Sequence, residues 1–192
     1  MAPFYFCNRE GEKMEILITR HGQTDWNLKR RLQGRADIEL NQTGIEQAKI
    51  AKEELANEKI DLIICSPLKR AKQTAEIINE GRNIPLVADD RIAERDFGEF
   101  EGKYKEEFSF EDFWSYKKAE NYERAETIKE FFNRIYGFLD DIKEKYKDKR
   151  VLIVAHGGVS IPVRCYFEGI PNVENLTGLG LKNCEVRKYT FK

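Results

Sequence analysis

Three short runs of uninterrupted apolar residues constrain this chain more than any other feature. They are EILIT at residues 15–19, DLIIC at 61–65 and VLIVA at 151–155. Rich in β-branched residues and without polar alternation, each predicts a strand buried on both faces. Stretches of helical period lie between them. Thr43-Gly44-Ile45-Glu46 reads as a capping box, with Ile45, Ala48, Ala51 and Leu55 following on one side of a helix. Ser66 reads as an N-cap with Pro67 in the first helical position, for a helix ending near Asn79. Residues 125–146 form a long amphipathic helix, with Ile128, Phe131, Phe132, Ile135, Phe138, Leu139 and Ile142 on one face. A helix is also expected from Gly157 to near Phe167. Leu86 and Val87 form a weak strand candidate, and residues 184–191 a closing strand. Residues 20–40 read as a loop. The alternation predicts an α/β fold, a mostly parallel central sheet with helices on both faces.

In such a sheet, ligands bind at the carboxyl ends of the strands. The chain has two histidines, His21 and His156, and each follows a buried strand and precedes a glycine. One such histidine is ordinarily a satisfied core or loop residue; two in these positions point to a site. Gly22 and Gly157 carry no Cβ and let the backbone approach a ligand. The Gly157 amide would open a helix, where N–H groups face an anion. Arg20 adjoins His21, and Arg70 falls early in a helix that starts at a strand end. Glu94 reads either as a loop carboxylate paired with Arg91 or Arg95, or as part of the site.

Length and charge bound the function. At 192 residues the chain fits one ordinary domain, read as 14–192. Residues 1–13 do not fit the pattern of the rest of the chain and precede a second methionine, Met14; they are a native extension or a start-site artefact. Lys plus Arg is 33 and Asp plus Glu is 34, a net charge of −1 that argues against nucleic acid as a partner. No run approaches the ~18 apolar residues of a membrane span. Cys7, Cys65, Cys165 and Cys184 lie far apart, without a Cys-x-x-Cys. With two histidines beside them, no metal site and no cofactor are expected, and the protein reads as reduced and cytoplasmic.

The residues in order resemble a known family. Arg20-His21-Gly22-Gln23-Thr24-Asp25-Trp26-Asn27 looks like the signature of the histidine phosphatase superfamily, the phosphoglycerate mutase-like family. Gln33-Gly34-Arg35, Leu40-Asn41-Gln42-Thr43-Gly44, Ser66-Pro67-Leu68-Lys69-Arg70-Ala71, Glu94 with residues 97–102, and Val154-Ala155-His156-Gly157-Gly158 follow in the family's order. The resemblance implies a phosphoglycerate mutase-like fold and a phosphomonoester hydrolase with a phosphohistidine intermediate. Its substrate would be a small phosphorylated metabolite, and inorganic phosphate its product. It implies His21 as nucleophile, Arg20 and Arg70 as the phosphoryl clamp, and His156 as a donor to a phosphoryl oxygen. Asn27 and Gln33 match phosphate-contacting amides, and Glu94 matches the general acid. The chemistry needs such a set. Phosphate-monoester hydrolysis requires up to about 10²¹-fold acceleration, ~28 kcal/mol at ~1.36 per decade, more than one residue supplies.

Three activities compete within the family: phosphatase, phosphoglycerate mutase and a non-catalytic binding module. The Arg-Arg-Ser-type insert of the mutases is absent, and His21, Glu94 and His156 are all present, which favours the phosphatase. The chain departs from the small phosphatases before the long helix. Where they often carry Gly-Gly-Glu-Ser, it reads Glu123-Arg124-Ala125-Glu126-Thr127. Residues 97–125 are rich in aromatics, among them Phe108, Phe110, Phe113, Trp114, Tyr116 and Tyr122. They are either core or a helical lid over the site. A lid predicts a preference for bulky or apolar leaving groups over small, doubly charged ones. Lys117, Lys118 and Arg124 face either solvent or a second anionic group.

Overall fold

The computed structural model describes residues 14–107, 109–118 and 122–192. The extension before Met14, with Cys7, and also Phe108, lie outside the described residues.

Five strands form one sheet: β1 (Glu15–Arg20), β2 (Leu62–Cys65), β3 (Leu86–Ala88), β4 (Val151–Ala155) and β5 (Val186–Thr190). Their order is β3-β2-β4-β1-β5, with every pairing parallel except β1 with β5. The mostly parallel α/β fold expected from the three apolar runs is the one formed. β2 and β4 are buried along their whole length, because helices cover both of their faces.

One face carries α2 (Gln42–Glu54) and α3 (Lys69–Asn79), which close over Leu17, Ile63, Leu152 and Val154 through Ala48, Ala51, Ala75 and Ile78. The other carries α5 (Ile128–Lys145) and α6 (Gly157–Glu168) over Ile16, Ile18, Ile64, Val151 and Ile153. All seven apolar positions expected on the inner face of α5 are buried. A capping box starts that helix: Thr127 Oγ1 accepts from the Glu130 amide at 3.2 Å, and Glu130 accepts from the Thr127 amide at 3.0 Å. Two single helical turns complete the set, α1 (Asp25–Leu28) and α4 (Phe110–Phe113).

Two expected helix starts are corrected. Asn41, not Thr43, caps α2, accepting from the Gly44 amide at 2.9 Å. Ser66 is not the N-cap of α3, nor Pro67 its first residue: the helix begins at Lys69 after Leu68, and the Ser66 hydroxyl accepts from the Leu68 amide at 3.3 Å ahead of it while also meeting His156. The stretch read as loop from 20 to 40 contains α1, whose capping box joins Thr24 and Asn27.

Sheet register positions the site. Arg20 pairs with Ala155, and Cys65 with Val154. The next residues along each strand, His21, Ser66 and His156, therefore emerge side by side from the carboxyl edge. The His21 amide completes the ladder by donating to the Ala155 carbonyl at 2.9 Å.

Candidate active site

His21 and His156 are both buried, their ring centroids 5.2 Å apart. The His21 tautomer follows from its partners. Nδ1 lies 2.7 Å from the Gly22 carbonyl, which can only accept, so Nδ1 carries the proton. Nε2 receives the Arg70 Nε–H at 3.2 Å and so presents a lone pair. Burial holds the His21 pKa well below its ordinary value, and Arg70 and Arg20 push it further in the same direction. A neutral imidazole with a free Nε2 is a nucleophile.

Arg70 is wholly buried on the first turn of α3. Its NH groups donate to the carbonyls of Ala36 at 2.7 Å and Gly34 at 2.8 Å, which fixes the guanidinium plane. Burial pulls its pKa down to about 10, with Glu94 opposing, so it stays charged at neutral pH. Arg20, at the end of β1, donates to the Leu181 carbonyl at 3.2 Å and keeps a buried Nε without a partner. Its guanidinium packs against Gly157, where a Cβ would come within 3.2 Å of Nε.

His156 caps α6, and its Nε2 lies 2.7 Å from Ser66 Oγ. Its Nδ1 is buried with no partner. Burial again lowers its pKa well below the usual value, with Arg70, His21 and Arg20 adding to the effect.

Glu94 is buried, and each carboxylate oxygen accepts a backbone N–H: Arg95 at 2.9 Å and Gly158 at 3.0 Å. A side chain on Gly158 would collide with it, since a Cβ there would lie 2.1 Å from its Oε1. The two candidate ion-pair partners point elsewhere. Arg91 pairs with Asp89 and Asp141, and the Arg95 guanidinium donates to the carbonyls of Glu126 and Phe113 while lying 3.6 Å over the Phe113 ring.

A cavity of about 510 Å³ collects these groups. Arg20, His21, Asn27, Gln33, Arg70, Glu94 and Gly157 all line it. His156 is not in its wall but against the His21 ring. Thr24 ties down both amide oxygens, its N–H donating to Asn27 Oδ1 at 3.2 Å and its hydroxyl to Gln33 Oε1 at 2.9 Å, so the amide nitrogens are the ends these bonds leave over. Phe97, Phe110 and Trp114 form an aromatic wall. Trp114 is also core, 3% exposed and packed on Phe97, Phe110, Phe113 and Phe131. Lys117 bonds Asn172 and Lys118 pairs with Asp112; neither they nor Arg124 line the cavity. Gly22 serves a different end from the close ligand approach expected of it, for a Cβ there would sit 2.3 Å from the Gly44 carbonyl oxygen. It lets the site loop pack on α2.

Sequence reasoning missed three supports. Asn183 Nδ2 donates to the His21 carbonyl at 2.8 Å from the loop before β5. The Thr74 hydroxyl accepts from the Gly22 amide at 3.1 Å. Ser66 holds His156. Only Ser66 carried a signal, its place directly after a buried strand. Among the described residues, no group of three His, Cys, Asp or Glu side chains could hold a metal ion, and no helix is long and apolar enough to cross a membrane.

The chain is similar to known proteins in sequence and fold. The model of the histidine phosphatase superfamily (branch 1) matches residues 16–192. The uncharacterized phosphatase PhoE of Bacillus subtilis is 44% identical over 143 residues, 74% of this chain and 71% of that protein. Phosphoserine phosphatase 1 of Hydrogenobacter thermophilus is 31% identical over 167 residues, 84% of this chain and 78% of that protein. Among solved structures, YhfR of Bacillus stearothermophilus superimposes with a TM-score of 0.82 at 29% identity, covering 91% of this chain and 90% of its own.

Proposed function

The chain belongs to the histidine phosphatase superfamily (branch 1), and we propose that it hydrolyses phosphomonoesters of a small metabolite through a phosphohistidine on His21. The observation that carries this reading is the fixed tautomer of His21: Nδ1–H on Gly22, and the Nε2 lone pair in a cavity with two arginines.

The reaction runs in two displacements. The substrate phosphoryl group takes the place of the Arg70–His21 contact, with Arg20 and Arg70 on its oxygens. The amide nitrogens of Asn27 and Gln33 and the Gly157 amide add donors. His156 Nδ1, buried without a partner, turns its proton to a phosphoryl oxygen. His21 Nε2 attacks phosphorus, the P–O ester bond breaks, and Glu94 gives its proton to the departing alkoxide. The Glu94 carboxylate then takes a proton from water, the hydroxide forms a new P–O bond, and the P–N bond breaks. Inorganic phosphate leaves and Nε2 regains its lone pair. Both steps place charge on oxygens that fixed cations already face.

We read residues 14–192 as a single cytoplasmic catalytic domain in which the described part of residues 97–125, with Phe97, Phe110 and Trp114 at the cavity, forms an aromatic lid. The arginines supply the charge, so no metal is required. Phosphoserine phosphatase 1 among the relatives supports a small phosphorylated metabolite as substrate. The test is a panel of alkyl and aryl phosphates assayed for phosphate release with a chelator present, beside a phosphoglycerate mutase assay. Chelator-insensitive release without mutase turnover supports the reading. Release that needs one added divalent ion, or mutase turnover that outruns hydrolysis, contradicts it.

A further inference from the structure

Secondary structure does not hold the residue read as the general acid. Glu94 and Arg95 lie between two single 3₁₀ turns, Asp90–Ile92 and Gly98–Phe100. Among the described residues, no backbone-to-backbone hydrogen bond reaches either of them. Side chains fix the segment instead. Upstream, Arg134 of α5 donates to the carbonyls of Arg91 at 2.6 Å and Ala93 at 3.0 Å, and its guanidinium pairs with Glu126. Next to the acid itself, the anchor is Arg95.

Arg95 is buried, lies outside the cavity wall and takes no part in the two displacements. Its Nε donates to the Glu126 carbonyl at 2.8 Å, and one NH group donates to the Phe113 carbonyl at 2.5 Å. One planar group thereby ties the segment of the acid to the end of α4 and to the residues leading into α5. The guanidinium lies 3.6 Å over the Phe113 ring and 5.3 Å from the centre of the Trp114 ring. Burial pulls its pKa down to about 10, with Glu126 and Glu94 opposing, so it stays charged at neutral pH. The circuit closes at Gly158. Its N–H is the second donor to the Glu94 carboxylate, and a Cβ there would lie 2.1 Å from Glu94 Oε1 and 2.8 Å from Trp114 Cη2. The acid and the aromatic wall meet at Gly158 on one side and are joined through Arg95 on the other.

We propose that Arg95 is a positioning residue for the proton transfer: by clamping the Phe113 and Glu126 carbonyls, it fixes the Glu94 carboxylate against the Trp114 wall. It touches neither the substrate nor the reacting atoms. The proposal rests on the phosphatase reading and deepens it, since it makes the placement of the acid depend on the seating of α4. A carboxyl group displaced by about 1 Å loses proton transfer on the order of 10²-fold, while the phosphoryl clamp of Arg20, His21 and Arg70 stays as it was.

The test uses two variants. Arg95→Met keeps the length of the side chain and removes its donors, and Arg95→Lys keeps the charge but reaches one carbonyl at most. In Arg95→Met, kcat/KM for an alkyl phosphate should fall about 30-fold or more, and in Arg95→Lys by less. For an activated aryl phosphate, whose leaving group needs little protonation, the loss should stay under about threefold. Inhibition by inorganic phosphate should stay within about twofold of wild type, and Arg95→Met added to Glu94→Gln should cost under about threefold more, because the acid it positions is already gone. A merely structural role predicts the opposite pattern: alkyl and aryl esters fall together and the two losses multiply. Either result overturns the proposal. Arg95→Met leaves two carbonyls unpaired, so melting temperatures come first, and if it does not fold, Arg95→Lys decides by the same measurements. If the wild-type enzyme hydrolyses no ester, the phosphatase reading fails on its own, and hydrogen exchange followed by NMR decides for Arg95. The Gly158 amide, bonded to Glu94, should then exchange about tenfold faster in either variant while the β4 amides keep their protection. Unchanged exchange at Gly158 overturns the proposal.

Discussion

Arg70 Nε donates to His21 Nε2 across 3.2 Å, so the cation of the phosphate clamp and the lone pair of the nucleophile are partners before any substrate arrives. The contact keeps His21 neutral and aimed, and it must be exchanged for a phosphoryl oxygen when the ester binds. Lysine cannot reproduce it, because one ammonium cannot hold the Gly34 and Ala36 carbonyls and still reach His21. Arg70→Lys should lower kcat/KM by about 10²-fold or more, the scale for losing a fixed donor to transition-state charge. Steady-state kinetics with an alkyl phosphate checks this. A loss under about threefold would remove Arg70 from the clamp.

Glu94 is held by two backbone N–H groups at 2.9 and 3.0 Å, so Glu94→Gln keeps the size but gives up one of the two bonds, since its NH2 cannot accept, and removes the proton exchange. Alkyl esters, whose alkoxides need protonation, should lose about 10²–10⁴-fold in rate. An activated aryl phosphate should lose far less in the first step. The slope of log kcat/KM against leaving-group pKa reads the difference. Equal losses across the series would mean that another group is the acid, with Glu99 and Glu101 next in line.

The neutral, buried histidines make stability depend on pH in a defined direction. His21 and His156 are held well below their ordinary values by burial, while the unfolded chain protonates them near pH ~6.5. Below that pH the unfolded state binds more protons than the native one, so stability falls as pH falls. Each histidine contributes up to about 1.4 kcal/mol per pH unit until its native pKa is reached. Denaturant titrations between neutral and mildly acid pH should show this slope, and His156→Asn should shallow it by about one histidine's share. A profile flat through the window would contradict a neutral pair.

Trp114 serves both the core and the cavity wall, so Trp114→Ala should cost on two counts. The lost packing on four aromatic rings should destabilise the fold by about 3–5 kcal/mol. The Michaelis constant for a benzyl phosphate should rise about tenfold, since one face of the leaving group loses its partner. Inhibition by inorganic phosphate should stay near wild type. If phosphate inhibition weakens as much as ester binding, Trp114 acts through the whole fold rather than as a wall for the leaving group.

The elements legible in the sequence are those dictated by short-range pattern. β4 matches its apolar run residue for residue, and α5 shows its inner face in the spacing of its large side chains. The two histidines stood out because each ends such a strand, and register brings them together. What was not legible depends on partners far along the chain. Ser66 looks like a helix cap locally, and its hydroxyl does accept from the Leu68 amide, but its second partner, His156, is 90 residues away. Asn183 reaches the His21 carbonyl from a loop with no pattern of its own. Lys117, Lys118 and Arg124, near the aromatics in sequence, read as facing either solvent or an anionic group, and none of them lines the cavity. The pairing of Leu32 with Gly102 and Lys103 instead brings Arg30, Arg31 and Lys105 to the cavity.

The central claim is a covalent phosphate on His21, and direct trapping tests it. An activated aryl phosphate is mixed with the enzyme, the reaction is stopped in alkali, and peptides are mapped at neutral pH by mass spectrometry with phosphorus NMR of the intact chain. The account predicts one acid-labile phosphate, on Nε2 of His21, formed within the burst and absent from His21→Ala, which should not turn over. Label on any other residue, or a His21→Ala variant within about tenfold of wild-type turnover, would contradict it.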